Sequence, residues 1–177
     1  MKIEVKENGS KEFYQEFVNI LMQGKKLQKN PEAPLADNFK SFKSTGIAGA
    51  VFLVLCMFCG FAFGWSKLLM ISTAVLWVAM LMLFVYLNKM NKTVTANLED
   101  KRPSIITLNE RGVSISKDGS PIVRLTWDQV AFVRTFKEST CFVPKDSENY
   151  AIAVNNAHLA EIREFMDNNE TGVRAIW

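Results

Sequence analysis

Two apolar runs that contain no ionisable side chain, residues 45–64 and 68–87, stand three residues apart in a chain of 177. Each has the roughly 20 residues an α-helix needs to cross a hydrocarbon core of about 30 Å. A core helix of a soluble protein normally keeps a polar stripe, and these runs are apolar on every side. They are expected to form a helical hairpin in a lipid bilayer, with Trp65-Ser66-Lys67 as its turn. Gly46, Gly49, Gly60 and Gly64 are tolerated there because lipid offers the backbone no alternative to internal hydrogen bonds. Trp65 and Tyr86 fall near the ends, where amphipathic rings prefer the interface.

Orientation follows from the lysines. Lys40 and Lys43 precede the first span and Lys89 and Lys92 follow the second, whereas the turn carries only Lys67. The positive-inside bias then predicts both termini in the cytoplasm and only the turn outside. The first thirty residues hold no apolar segment of the signal-peptide kind, so the first span is expected to direct insertion itself. Under this topology the Asn-x-Ser/Thr triplets at Asn8, Asn91 and Asn169 stay inside and carry no sugar.

The remainder is a different material. Hydrophobic residues make up 49% of the chain while charged residues still reach 22%, because the apolar excess is concentrated in the hairpin. Residues 94–177 carry ten Lys and Arg against twelve Asp and Glu, a net of −2. A folded domain with that balance lacks the basic footprint of a nucleic-acid binder.

Lys2 to Lys6 reads as a short strand. Ser10 is a candidate N-cap for a helix whose Phe13, Phe17, Ile20 and Leu21 form one apolar stripe, with Gly24 as its expected stop. The stripe either packs on the C-terminal domain, the favoured reading, or lies on lipid with help from Lys25, Lys26 and Lys29. Residues 31–44 read as a linker leading into the membrane, and residues 88–102 as a polar connector that continues the second helix until Pro103.

From there the period changes. Ile105–Leu108, Gly112–Lys117, Pro121–Trp127, Val130–Phe136, Thr140–Val143 and Tyr150–Val154 are rich in β-branched and aromatic residues and are broken by turn signals, so they read as antiparallel strands. Asn109-Glu110-Arg111-Gly112 and Lys117-Asp118-Gly119-Ser120 have the form of hairpin turns. Val123, Leu125 and Trp127 are expected on one face. A final helix, capped by Asn155 or Asn156, carries Leu159, Ile162, Phe165 and Met166 on one side and closes at Gly172. The fold class expected is α+β: a transmembrane hairpin followed by a small antiparallel β-sandwich or half-barrel, residues 103–177, capped by the C-terminal helix. So small a domain needs more core, which the N-terminal strand and helix, residues 1–30, are expected to supply.

The order of parts, together with "IITLNERGVSIS", "IVRLTWDQVAFV" and the final "LAEIREFM", resembles the YcxB-like proteins of bacteria. The resemblance covers most of the chain and implies a pleckstrin-homology-like C-terminal domain at the inner face of the cell's inner membrane. Thr107-Leu108, Gly112-Val113 and Leu125-Thr126-Trp127 with Val130 carry it. The chain departs from that family's Ile-Pro-Lys-like segment before the last helix: Val143-Pro144-Lys145 comes early, and Ile152-Ala153-Val154 lacks the proline. The resemblance implies no catalytic residue.

The motifs of chemistry are missing from the sequence. There is no phosphate-binding glycine loop, no nucleophile elbow and no histidine pair spaced for a metal, so no enzyme activity, cofactor or metal is expected. His158 reads as a solvated surface residue. Cys56 and Cys59 have CxxC spacing but sit in an apolar span without the helix N-terminus or further ligands that redox or metal chemistry needs. Cys141 is expected to stay a reduced thiol. Cys56, Gly60 and Gly64 form a small-residue ridge that either seats the second span or mediates homo-oligomerisation.

Three functional readings follow. The favoured one is a membrane-tethered interaction domain that binds a protein or peptide partner. A second is anionic-lipid sensing through Lys25, Lys26, Lys40, Lys43, Lys89 and Lys92. A third is an accessory subunit of a transporter or envelope complex; transport by the hairpin alone is unfavoured, because its spans offer no polar path.

Overall fold

Ser10 opens the first helix. Its hydroxyl accepts the Phe13 N–H at 3.1 Å, which satisfies one of the donors a helix start leaves over. The protein is described by a computed structural model covering residues 2–5, 9–100, 102, 104–146 and 150–177. It divides into two compact units, Met1–Ala36 with Val94–Trp177, and Asp37–Thr93.

In the first unit, helix α1 (Lys11–Lys29) buries Phe13, Val18, Asn19, Ile20 and Leu27. It runs through Gly24, the expected stop, and ends against Asn30. Phe13, Ile20 and Leu27 recur every seven residues on one face, so burial of Leu27 outweighs the roughly 1 kcal/mol that a mid-helix glycine costs. The stripe is correspondingly rotated from the expected one, and Leu21 is 40% exposed.

Strand β1 (Lys2–Val5) pairs antiparallel with β2 (Ser104–Asn109), Lys2 opposite Thr107 and Val5 opposite Ser104. With β3 (Gly112–Lys117) and β4 (Ser120–Thr126) they form a four-stranded sheet in the order β1-β2-β3-β4. Two tight turns set its register. Asn109 Oδ1 accepts the N–H groups of Arg111 and Gly112, and Asp118 and Gly119 both take positive φ between β3 and β4, as a hairpin turn of the primed type requires. Gly112 is imposed by crowding: a Cβ there would lie 2.0 Å from the Leu125 carbonyl oxygen.

A second sheet has the order β7-β6-β5-β8, from β5 (Val130–Thr135), β6 (Ser139–Pro144), β7 (Ile152–Asn155) and β8 (Arg174–Ile176). Thr140 pairs with Val154 and Phe142 with Ile152. Strand β8 was not expected. It runs parallel to β5, Val133 opposite Ala175, and three residues are too few to display an alternating pattern. Trp127 also leaves the predicted strand, lying in a 3-10 turn (Trp127–Gln129). Its indole Nε1 donates to the Asn109 carbonyl at 2.9 Å, and its ring still packs in the same core as Leu125, with Val123 at the margin.

That core lies between the two sheets and includes Leu108, Val113, Leu125, Phe142, Ile152 and Ile162. Helix α4 (Leu159–Asn168) closes it with Ile162, Phe165 and Met166. Asn155 caps a 3-10 turn (Asn156–His158) ahead of α4. The helix ends at Asn168 rather than at Gly172, whose φ of 67° serves the bend into β8. On the opposite face of the second sheet, Ile20 and Leu27 of α1 bury Phe132, Cys141, Val143 and Ala151. Residues 31–36 are not a free linker: Ala33 is buried and Leu35 joins this second core. Arg134 Nη1 donates to the carbonyls of Pro31 and Ala33 at 2.5 and 2.7 Å, and Gln23 exchanges two hydrogen bonds with the Ala36 backbone.

The second unit is made by α2 (Asn38–Phe63) and most of α3 (Lys67–Glu99). The polar residues before and after the apolar runs are helical as well. The expected strand at Lys6 and the end of the polar connector at Lys101 and Pro103 fall outside the described residues.

Candidate functional site

The covered residues of α2 between 40 and 63 are Phe42, Gly46, Gly49, Leu53, Cys56 and Gly60, and those of α3 between 67 and 93 are Leu69, Thr73, Leu76, Met80, Leu83, Leu87 and Met90. Both series alternate steps of four and three, the seam of a two-stranded coiled coil. The helices run antiparallel. Phe42 meets Tyr86 edge to face with ring centroids 5.3 Å apart. A Cβ on Gly46 would touch Leu83, and one on Gly49 would lie 2.5 Å from Met80 Sδ. Small residues on α2 facing large ones on α3 let the backbones approach, the usual device where no hydrophobic effect drives helices together.

The ridge expected from Cys56, Gly60 and Gly64 is therefore split. Cys56 and Gly60 are buried within the chain, Gly60 beneath the Trp65 indole. Gly64 is the C-cap of α2 at φ 86°, with no atom within 4 Å of an added Cβ, so it packs against no helix. Gly46 and Gly49 are the glycines that admit α3; the four-three spacing from Phe42 to Gly60 is the sequence signal that picks them out.

Away from the seam the hairpin is apolar and uncovered. Phe61, Phe63, Leu68, Met82 and Phe84 are each more than two-thirds exposed. Both helices are long and apolar enough to cross a membrane. Contiguous exposed apolar surface of this kind marks a surface that contacts lipid or another protein.

The seam register also arranges the lysines. Lys40 falls level with Lys89, with Lys43 and Lys92 within a turn of them, and all four are exposed. They form a basic collar at the open end of the hairpin, and only Lys67 stands at the turn. About 35 Å of helix separates Lys40 from Phe63. Lys25 and Lys26 are exposed on α1, in the other unit.

Two polar clusters fix the domain's loops. The Glu16 carboxylate accepts the Glu138 N–H and, at 2.7 Å, the Ser139 hydroxyl. Asn156 accepts from Thr140 and donates to the carbonyls of Phe136 and Lys137. At the end of α3, Asp100 accepts two bonds from Arg102 and one from Lys117 Nζ at 2.8 Å. The Arg102 guanidinium first, and Lys117 second, hold the Asp100 carboxyl well below the usual carboxylate range. Burial lowers the Arg134 pKa, with Glu32 acting in the opposite sense. Burial also pushes the Cys141 thiol far up, which keeps it an inert core residue. His158 is partly exposed and pairs with Glu161 at 3.1 Å. Among the described residues no three His, Cys, Asp or Glu side chains converge as metal ligands.

The domain carries a cleft of about 430 Å³ between the second half of α1, the end of β6 and residues Tyr150 and Ala151 ahead of β7. No protein-family model, curated protein or solved structure matches this chain.

Proposed function

We propose that this chain is a non-enzymatic integral protein of the bacterial inner membrane, related to the YcxB-like proteins, that holds a pleckstrin-homology-like domain at the cytoplasmic face to bind a protein or peptide partner. The pairing of β1 with β2 carries the reading. The strands flank the hairpin in sequence, yet they belong to one sheet, so the chain must cross the bilayer an even number of times between them. Two crossings with both ends on one side meet that condition, and the collar of Lys40, Lys43, Lys89 and Lys92 favours the cytoplasm as that side. Two packed, mainly antiparallel sheets closed by a C-terminal helix support the pleckstrin-homology-like assignment.

Strand β4 offers the partner a place. It is an outer strand of its sheet, and Ile122 is 56% exposed on it, so an extended segment can add to the sheet with an apolar side chain beside Ile122. The test is a photo-reactive residue in place of Arg124 in native membranes. The expected result is one discrete protein adduct that Ile122→Lys abolishes; diffuse labelling insensitive to Ile122→Lys removes the docking reading. Membrane integration is tested separately by resistance to alkaline carbonate extraction.

The collar supports a second reading, anionic-lipid sensing, in which each lysine near a charged leaflet contributes about 1 kcal/mol. Loss of preference for anionic vesicles on reversing Lys40, Lys43, Lys89 and Lys92 to Glu is its expected signature.

A further inference from the structure

The cleft on the domain is built unlike the rest of its surface. Ile20, Val143 and Ala151 form a buried apolar floor. Leu21, 40% exposed, and Tyr150, 69% exposed, stand as its walls. Lys25 is the charged group among the described lining residues. Lys26 and Lys29, on the same helix, and Lys145, next to the lining Pro144, are exposed.

Gly24 also lines the cleft, and a Cβ added to it would meet no atom within 4 Å. A glycine inside a helix normally answers to a close packing neighbour or a positive φ, and Gly24 has neither. What it does is leave the cleft open where α1 passes over it. An apolar trough with a lysine on its wall complements a molecule that is apolar along its body and negative at one end.

We propose that this cleft holds an anionic phospholipid, with its glycerol and upper acyl chain against Leu21, Pro144 and Tyr150 and its phosphate at Lys25. The proposal rests on the membrane reading above and goes beyond it, because it assigns lipid recognition to the folded domain and not to the hairpin's collar. A lipid is favoured over a peptide because a chain anchored in a bilayer meets that bilayer's lipids at high effective concentration without a second encounter.

The test uses the full-length protein in nanodiscs of phosphatidylcholine alone, of phosphatidylcholine with phosphatidylglycerol, and of phosphatidylcholine with inorganic phosphate in solution. Amide hydrogen exchange is read over residues 18–29 and 141–146. Protection about fivefold higher in the phosphatidylglycerol discs only is expected. Lys25→Glu, or Gly24→Leu, which fills the cleft, removes the gain, while Lys11→Glu at the far end of α1 retains it. Equal protection in all three conditions overturns the proposal, as does a gain that survives both Lys25→Glu and Gly24→Leu. A photo-reactive residue replacing Leu21 in native membranes is expected to yield a phospholipid adduct, and a protein adduct there overturns the assignment as well. Failure of the chain to enter nanodiscs at all refutes the anchor itself, an outcome separate from normal incorporation with unchanged exchange.

Discussion

Gly49 of α2 lies so close to Met80 of α3 that the thioether sulfur occupies the space a β-carbon would need, 2.5 Å away. Met80 bends at three torsions, so Gly49→Ala is expected to be absorbed by a shift of its end. Gly49→Leu has no such relief and is expected to separate the helices at this level. A short bifunctional thiol reagent bridging Gly46→Cys and Leu83→Cys reads the difference: the bridge persists with Gly49→Ala and is lost with Gly49→Leu.

Two hairpin glycines are expected to respond unequally. Gly112→Ala drives a methyl into the backbone of Leu125 and Thr126, which cannot rotate aside, and is expected to cost about 3 kcal/mol or more. Gly119→Ala meets open space and bears only the strain of φ 76°, about 1–2 kcal/mol. Thermal unfolding of the two variants in one detergent should order them accordingly.

The Asp100 cluster predicts an acid response. Its carboxyl is depressed by Arg102 and Lys117, so its contribution is complete above the ordinary carboxylate value of about pH 4 and declines as the pH drops below it. It vanishes only when the pH falls through the lowered native value. In a carboxyl-carbon NMR titration, the Asp100 resonance should stay unmoved after the exposed aspartates have shifted. Co-titration with those residues would break the cluster as described.

Cys141 should report unfolding of the domain. With Cys56→Ala and Cys59→Ala, alkylation of the native protein is expected to be on the order of a thousandfold slower than after denaturation, since the buried thiol reacts only in opened molecules. Mass spectrometry of the labelled chain measures it.

The domain's discontinuity gives the last expectation. Residues 94–177 alone lack β1 and the helix whose Ile20 and Leu27 cover the second sheet, and should not unfold cooperatively. Residues 1–36 joined to 94–177 by a flexible linker restore both elements and should give a single sharp transition in circular dichroism.

The apolar runs, the β-hairpin turns and the strand alternation were legible because each obeys a local rule of length, turn chemistry or period. The course of α1 past Gly24 was not, because it is decided by Leu27 reaching a sheet more than a hundred residues away. Strand β8 escaped for a related reason: its pairing with β5 is set by β5 and not by the three residues Arg174 to Ile176. In the hairpin, the Cys56-Gly60-Gly64 spacing drew attention to the wrong end of the ridge. Gly64 obeys the spacing but terminates the helix, and only a three-dimensional register distinguishes it from Gly46 and Gly49. The cleft, assembled from α1, β6 and Tyr150, left no signature in any one segment.

Strand β1 leaves the ribosome first, and its partner β2 follows about a hundred residues later, with the whole hairpin synthesised between them. On the proposed two-span topology the first sheet cannot close until both apolar helices have entered the bilayer. Completion of the domain becomes a checkpoint on insertion: a molecule that lodged only one helix would leave β1 and β2 on opposite sides of the membrane, unpaired and open to proteolysis. Quality control of the anchor is in this way written into the order of the strands.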